Sequence, residues 1–259
     1  MGFAKYHEDI VSRFNNDNDR SLGGNRRPEP THTTAKEVRP MSRLKEFTTQ
    51  TARPLPVILL ADVSGSMGVD GKIQALNHAV REMLEAFQDE ADLRAEIHVA
   101  VITFGGQAKT HLPFAPAREV SWTDLSARGG TPMGAAFDIV RDMVEDRSVV
   151  SGRAYRPTII LVSDGQPTPP GSEVEPLRKL LESERGGKAF RMALAIGADA
   201  DHDVLQAFLA DPEARVYSAA EARQIRQFFQ LVTMSVSARS RSANPNSAPV
   251  SVADDGWDL

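Results

Sequence analysis

Apolar residues in this chain gather into runs and stripes that begin near residue 53 and stop near residue 237. Pro56 to Ala61 is a continuous apolar run closed by Asp62, and such a run reads as a strand buried on both faces of a parallel sheet. Thr158 to Ser163 repeats the pattern and is closed by Asp164. Ala189 to Ile196 reads as another buried strand, and Ala214 to Tyr217 as a short last one. Glu96 to Phe104 alternates before turning apolar, and Lys109 to Phe114 is short enough to lie beside it as an edge strand.

Between these runs the apolar spacing lengthens to three and four residues, which keeps one face of a helix toward a sheet. Ile73, Leu76, Val80, Met83 and Phe87 form one stripe, with Asp70 as its expected cap. Met133, Phe137, Val140 and Val144 form a second after Thr131-Pro132, and Leu177, Leu180 and Leu181 mark a third. Val204, Leu205, Phe208 and Leu209 follow a cap near Asp201. The final stripe, Ala222, Ile225, Phe229, Val232 and Val236, follows Ser218 and Glu221 at capping-box spacing. Strands alternating with helices predict an α/β fold: a Rossmann-like, mostly parallel central sheet with one short antiparallel edge strand and helices on both faces.

The flanks differ in kind. Residues 1–52 are rich in Asn, Asp, Arg, Pro and Thr, which predicts a flexible arm. Phe3, Tyr6, Ile10 and Phe14 there have helical spacing and form a candidate docking helix, against the plainer reading of a terminal turn. Residues 53–237 form the expected folded domain, and 238–259 a flexible tail ending in Asp254-Asp255-Gly256-Trp257-Asp258-Leu259. That acidic end reads as solvated tail or as a short recognition motif.

Composition narrows the function classes. A hydrophobic share of 41% suits a globular core, and the formal net charge of −5 is spread without a basic stripe, so nucleic-acid binding is not expected. No membrane span or signal-peptide pattern is evident, and a cytoplasmic location is the expectation. There is no cysteine, which excludes disulfides and thiolate chemistry in this sequence.

The candidate chemistry sits where two buried strands end. Alternate residues of an extended segment point the same way, so Asp62, Ser64 and Ser66 can present three oxygens to one point while Gly65 lets the backbone bend. One carboxylate and two hydroxyls suit a hard cation. Arg128-Gly129-Gly130-Thr131-Pro132 delivers another hydroxyl from a glycine-rich loop, and Leu161-Val162-Ser163-Asp164-Gly165 a second strand-terminal carboxylate. Thr131 taken alone reads rather as a helix N-cap followed by Pro at the first helical position, a role that can coexist with that of a ligand.

These three segments closely resemble the von Willebrand factor A (VWA) family, whose metal-ion-dependent adhesion site pairs D-x-S-x-S with a later threonine and a later aspartate. The resemblance spans about residues 55–237 and implies Asp62, Ser64, Ser66, Thr131 and Asp164 as ligands of Mg²⁺, with Mn²⁺ or Ca²⁺ as substitutes. It also implies a partner protein that supplies Asp or Glu to the ion. Within the family, Leu161 to Thr168 and the stretch from Phe228-Phe229 to Ser242 look most like bacterial TerY-type proteins of tellurite-resistance and stress-response loci. That likeness implies a protein kinase or PP2C-type phosphatase as partner; the alternative is an AAA+ ATPase of the MoxR or chelatase kind. The cysteine-rich zinc segment of some relatives has no counterpart here.

Catalytic readings fare worse on the same residues. A phosphoaspartyl phosphatase needs a second acid two residues after the first, where Ser64 stands. None of the six histidines falls in the three crevice segments to serve as base for Ser64 or Ser66, and His98 and His111 read as structural. Gly65 to Lys72 is one residue too long for a P-loop, with Ile73 in place of Ser or Thr. A metal-dependent phosphohydrolase remains the lower alternative to a non-enzymatic interaction module.

Overall fold

A computed structural model describes residues 52–90 and 95–247. The arm before residue 52, with its candidate docking helix, and the acidic end at 254–259 lie outside the described residues. The strands are β1 (Arg53–Asp62), β2 (Ala95–Gly105), β3 (Gln107–Pro116), β4 (Thr158–Ser163), β5 (Phe190–Ile196) and β6 (Tyr217–Ala219). The α-helices are α1 (Lys72–Gln88), α2 (Met133–Glu145), α3 (Val174–Glu182), α4 (His202–Leu209) and α5 (Ala222–Arg241). The six strands run in the order β3-β2-β1-β4-β5-β6. Every neighbouring pair is parallel except β2 and β3, so β3 is the antiparallel edge strand expected.

Side chains of β1 alternate between two buried layers. Leu55, Val57, Leu59 and Ala61 join α1 and α5 in one continuous core with Leu76, Val80, Phe229 and Val232. Ile58 and Leu60 are equally buried and face the other way. Helices α2, α3 and α4 cover that second face, where Phe137 of α2 stacks on Phe208 of α4 with ring centroids 5.9 Å apart. Both faces are thus covered, which is why β1 and β4 could be written as unbroken apolar runs.

Several local expectations shift. Asp70 does not cap α1: it takes φ 54°, and Gly71 at φ 73° is the N-cap with no side-chain bond. The last strand forms three residues later than its apolar run suggested. Ala214 closes a turn onto Asp211 and its carbonyl accepts from Gln206 Nε2 at 2.9 Å, while Tyr217–Ala219 pairs with Leu194–Ile196. The capping box of α5 is Glu221 with Gln224, not Ser218 with Glu221. In α5 Phe228 is buried and Ala222 exposed, and the helix runs to Arg241, beyond the boundary expected at 237. Asp201 caps α4 as expected, accepting from Val204 N at 3.1 Å.

Strand order reverses direction around β1: the chain moves outward through β2 and β3, then returns to the other side of β1 as β4. In open α/β sheets the carboxyl ends of the two strands at such a switch point border the ligand crevice. Asp62 ends β1, and Asp164 follows the last residue of β4.

Candidate metal centre

At this switch point the backbone, more than the side chains, does the assembling. Arg128 N donates to Val63 O at 2.7 Å, Gly65 N to Gly129 O at 2.9 Å, and Gly106 N to Gly130 O at 2.8 Å. The glycine loop is thereby latched to the ends of both β1 and β2. Thr168 N donates to Thr131 O at 2.9 Å, tying the loop to the segment after β4 as well. Two glycines permit this closeness. A Cβ on Gly105 would stand 2.2 Å from Val63 O, and one on Gly129, at φ 73°, would stand 2.5 Å from Gly106 Cα.

Asp62 and Asp164 are both wholly buried. Each oxygen of Asp62 has a donor from its own chain: Oδ1 accepts from Ser64 N at 2.8 Å, and Oδ2 from Ser163 Oγ at 2.6 Å. Ser64 Oγ and Ser66 Oγ are 2.9 Å apart, and Ser66 Oγ donates to Asp164 Oδ1 at 2.7 Å. Thr131 completes the ring. Its hydroxyl and that of Ser66 stand 3.8 and 3.7 Å from the point a Cβ on Gly165 would occupy, so the two oxygens face a cradle kept open by a glycine. Thr131 is not the cap of α2. That helix begins at Met133 with Pro132 as N-cap, and no side chain caps it. All five residues singled out in the sequence therefore converge, with Ser66 exposed at the mouth and the two carboxylates at the base.

Burial is the dominant influence on Asp62. It pushes the carboxyl up to about 6, against the lowering effect of hydrogen bonds from Ser163 and Ser64, with Asp164 adding a smaller upward push. A carboxylate so placed gains from any cation brought beside it.

Lys72, at the first position of α1, was not among the candidates. Its Nζ lies 2.7 Å from Asp164 Oδ2 and its side chain is 21% exposed. The only signal in the sequence was its distance of six residues from Ser66, which reads as ordinary helix surface. The lysine shows that this position attracts a cation, and its bond to Oδ2 still leaves Oδ1 directed at Ser66. Two carboxylates and three hydroxyls are the donor set a hard divalent ion takes, and these residues could hold one. Among the described residues no group of three or more His, Cys, Asp or Glu side chains is placed to hold a metal.

Replacing Lys72 with Met removes the charged partner of the buried Asp164 carboxylate. Lys72→Met is expected to destabilise the metal-free protein by about 2–3 kcal/mol, below the usual cost of breaking a buried pair because the ammonium is partly solvated. The rise in melting temperature on adding Mg²⁺ should then be larger than in wild type. Equal Mg²⁺ responses would show that Lys72 and an ion do not share the charge of Asp164.

Fold and site together define an open, mostly parallel α/β domain with an oxygen-lined crevice at its switch point. The fold is like that of von Willebrand factor type A structures, and residues 57–166 match the family model described as von Willebrand factor type A domain. Solved structures agree in fold. A von Willebrand factor type A protein from Catenulispora acidiphila superposes with a TM-score of 0.57 at 17% identity, covering 72% of this chain and 43% of that one. Proximal thread matrix protein 1 from the mussel byssus gives 0.56 at 17%, covering 72% and 48%, and has also been solved with a zinc-occupied MIDAS motif. Manganese-loaded TRAP protein from Plasmodium vivax gives 0.52 at 20%, covering 68% and 71%. This chain thus spans less than half the length of the first two. No curated protein sequence matches it.

Proposed function

We propose that this chain is a non-enzymatic interaction module that holds a divalent cation, Mg²⁺ by the hardness of its donors, through Asp62, Ser64, Ser66, Thr131 and Asp164. When bound, the ion supplies a Lewis-acidic position that accepts a carboxylate from a partner protein. The single observation that carries this reading is the convergence of hydroxyls from two separate loops over two buried carboxylates, with one hydroxyl at the solvent-facing mouth.

The chain's own residues divide the work. Asp62 anchors the base of the site and is held in place by Ser64 and Ser163. Asp164 supplies the second charge, shared with Lys72. Ser66 and Thr131 border the open side. With only two carboxylates the ion's charge is just balanced, so an incoming Asp or Glu remains favourable. Catalysis has less support. Ser64 stands where a phosphoaspartyl phosphatase would need its acid. His98 Nε2 is 2.9 Å from Glu96 and His111 Nε2 2.8 Å from Thr123 O, so both imidazoles are already engaged by neighbouring groups.

The TerY-like phrases of the sequence extend the proposal to a bacterial stress or tellurite-resistance system, with a kinase or PP2C-type phosphatase supplying the acid group. The proposed setting is cytoplasmic; among the described residues no helix is long and apolar enough to cross a membrane.

Thr131→Val tests the site with almost no change in shape. Mg²⁺ affinity measured by calorimetry should fall about tenfold or more, since a ligand oxygen is replaced by a methyl group. Capture of the partner from cell extract should require Mg²⁺, vanish with chelator and weaken in the same variant. Capture indifferent to both chelator and Thr131→Val would overturn the proposal.

A further inference from the structure

At the end of the sheet opposite the crevice, guanidinium groups crowd around one aromatic ring. Arg239 and Arg156 hold their Cζ atoms 4.1 and 4.3 Å from the ring centroid of Phe190. Arg191, the next residue, adds a third positive charge. Among the described residues none of these three meets a carboxylate. Arg239 donates to Pro245 O at 3.0 Å and Arg156 O at 2.7 Å, Arg156 Nε to Lys188 O at 2.6 Å, and Arg191 Nη2 to Gly186 O at 2.5 Å. The Nε–H of Arg191 is shut off from solvent and has no partner among the described residues.

Such a cluster is costly, because charge withdrawn from water wants an opposite charge. Burial, with a smaller contribution from Arg156, pushes both Arg191 and Arg239 down to about 10. They nevertheless stay protonated near neutral pH. Beside them opens a cavity of about 720 Å³, bordered by Arg156, Arg191 and Arg215 and by the aromatic rings of Phe190 and Tyr217. Asp211 and Glu213 border it too, and Asp211 Oδ1 is engaged by the backbone N–H of Glu213 at 3.0 Å. The volume is that of a small-molecule site. Guanidinium forks match phosphate oxygens two at a time, and a dianionic head can satisfy two forks where a carboxylate serves one.

We propose that this cavity binds a phosphate monoester, with its dianionic head between Arg156 and Arg191. The site is separate from the crevice and does not depend on how the crevice is read. Inorganic phosphate is the probe, measured by equilibrium dialysis against the full chain in the presence of chelator. Saturable binding is expected, unchanged in Asp62→Asn and weakened about tenfold or more in Arg191→Gln. Arg191→Lys and Arg156→Lys keep the charge but lose the fork, and should weaken binding while circular dichroism stays native. These carry the test if Arg191→Gln fails to fold. Competition by AMP and by O-phosphoserine then separates a nucleotide from a phosphorylated side chain, and tighter binding of either supports the site. Absence of saturable phosphate binding, or equal binding by wild type and all folded arginine variants, overturns it.

Discussion

The Asp62→Asn variant is expected to be more stable than wild type in the absence of metal at neutral pH, and to lose the response to Mg²⁺ altogether. Asp62 is wholly buried, and burial raises its carboxyl from 3.8 to about 6. A raised acid pKa means that, between about pH 4 and pH 6, the folded state keeps a proton that the unfolded state has released. Stability therefore falls as pH rises through that window, and the full cost remains above it. About two units correspond to about 3 kcal/mol. The neutral amide escapes that cost but faces two donors, Ser64 N and Ser163 Oγ, of which only the hydroxyl can turn to accept. The gain should accordingly be about 2–3 kcal/mol at neutral pH and close to zero near pH 4. The nearby charge of Asp164 adds to the gain only slightly, because Lys72 already offsets it. A simple repulsion of two carboxylates about 4 Å apart, about 4 kcal/mol at an effective dielectric of about 20, overstates the effect once that lysine is counted.

Urea titrations of both proteins across the window, in chelator and in millimolar Mg²⁺, measure this directly. Parallel pH profiles would sink the assignment of Asp62 as the strained carboxylate. An unchanged Mg²⁺ response in the variant would sink its role at the ion.

Gly105→Ala is expected to produce a large loss of stability for a reason unconnected with charge. Its Cβ would stand 2.2 Å from Val63 O and 2.6 Å from Val63 Cγ2, and backbone cannot step aside as a flexible side chain does. Val63 O is also the acceptor for Arg128 N, so any retreat pulls on the loop that carries Thr131. Overpacking of this severity costs about 3 kcal/mol. For a domain of this size that corresponds to about 6–12 °C in melting temperature. Gly68→Ala is the control in the same region, since its Cβ would meet Ala127 Cβ at an ordinary 3.5 Å. Melting temperatures within about 2 °C of each other would show that the latch between β1, β2 and the glycine loop yields without cost. Where Gly105→Ala remains folded, its Mg²⁺ affinity should fall as well, because the loop shift moves the Thr131 hydroxyl away from Ser66.

Much of this architecture was legible because burial leaves a mark on composition. A strand covered on both faces must be apolar throughout, so β1 and β4 announced themselves and their terminal aspartates stood out. Helices show one stripe each, and α1 and α2 followed theirs closely. Ends were less legible. Asp70 looked like a cap, but the backbone there takes left-handed conformations at Asp70 and Gly71, and nothing in the residue types of a single sequence distinguishes the two geometries. The last strand was misplaced because its position depends on which residues reach the hydrogen-bonding edge of β5, a matter of pairing and not of apolarity.

From the sequence by itself come the α/β class, the edge strand and the five oxygen-bearing side chains, since periodicity and strand-terminal polar residues are local properties. The tertiary structure alone decided that Thr131 stands over the crevice instead of capping a helix, that Lys72 neutralises Asp164, and that Arg156 and Arg239 share the ring of Phe190. Each of those joins residues brought together by crossovers and loop latches, and contacts across such distances are set by packing, of which the order of residues carries no local trace.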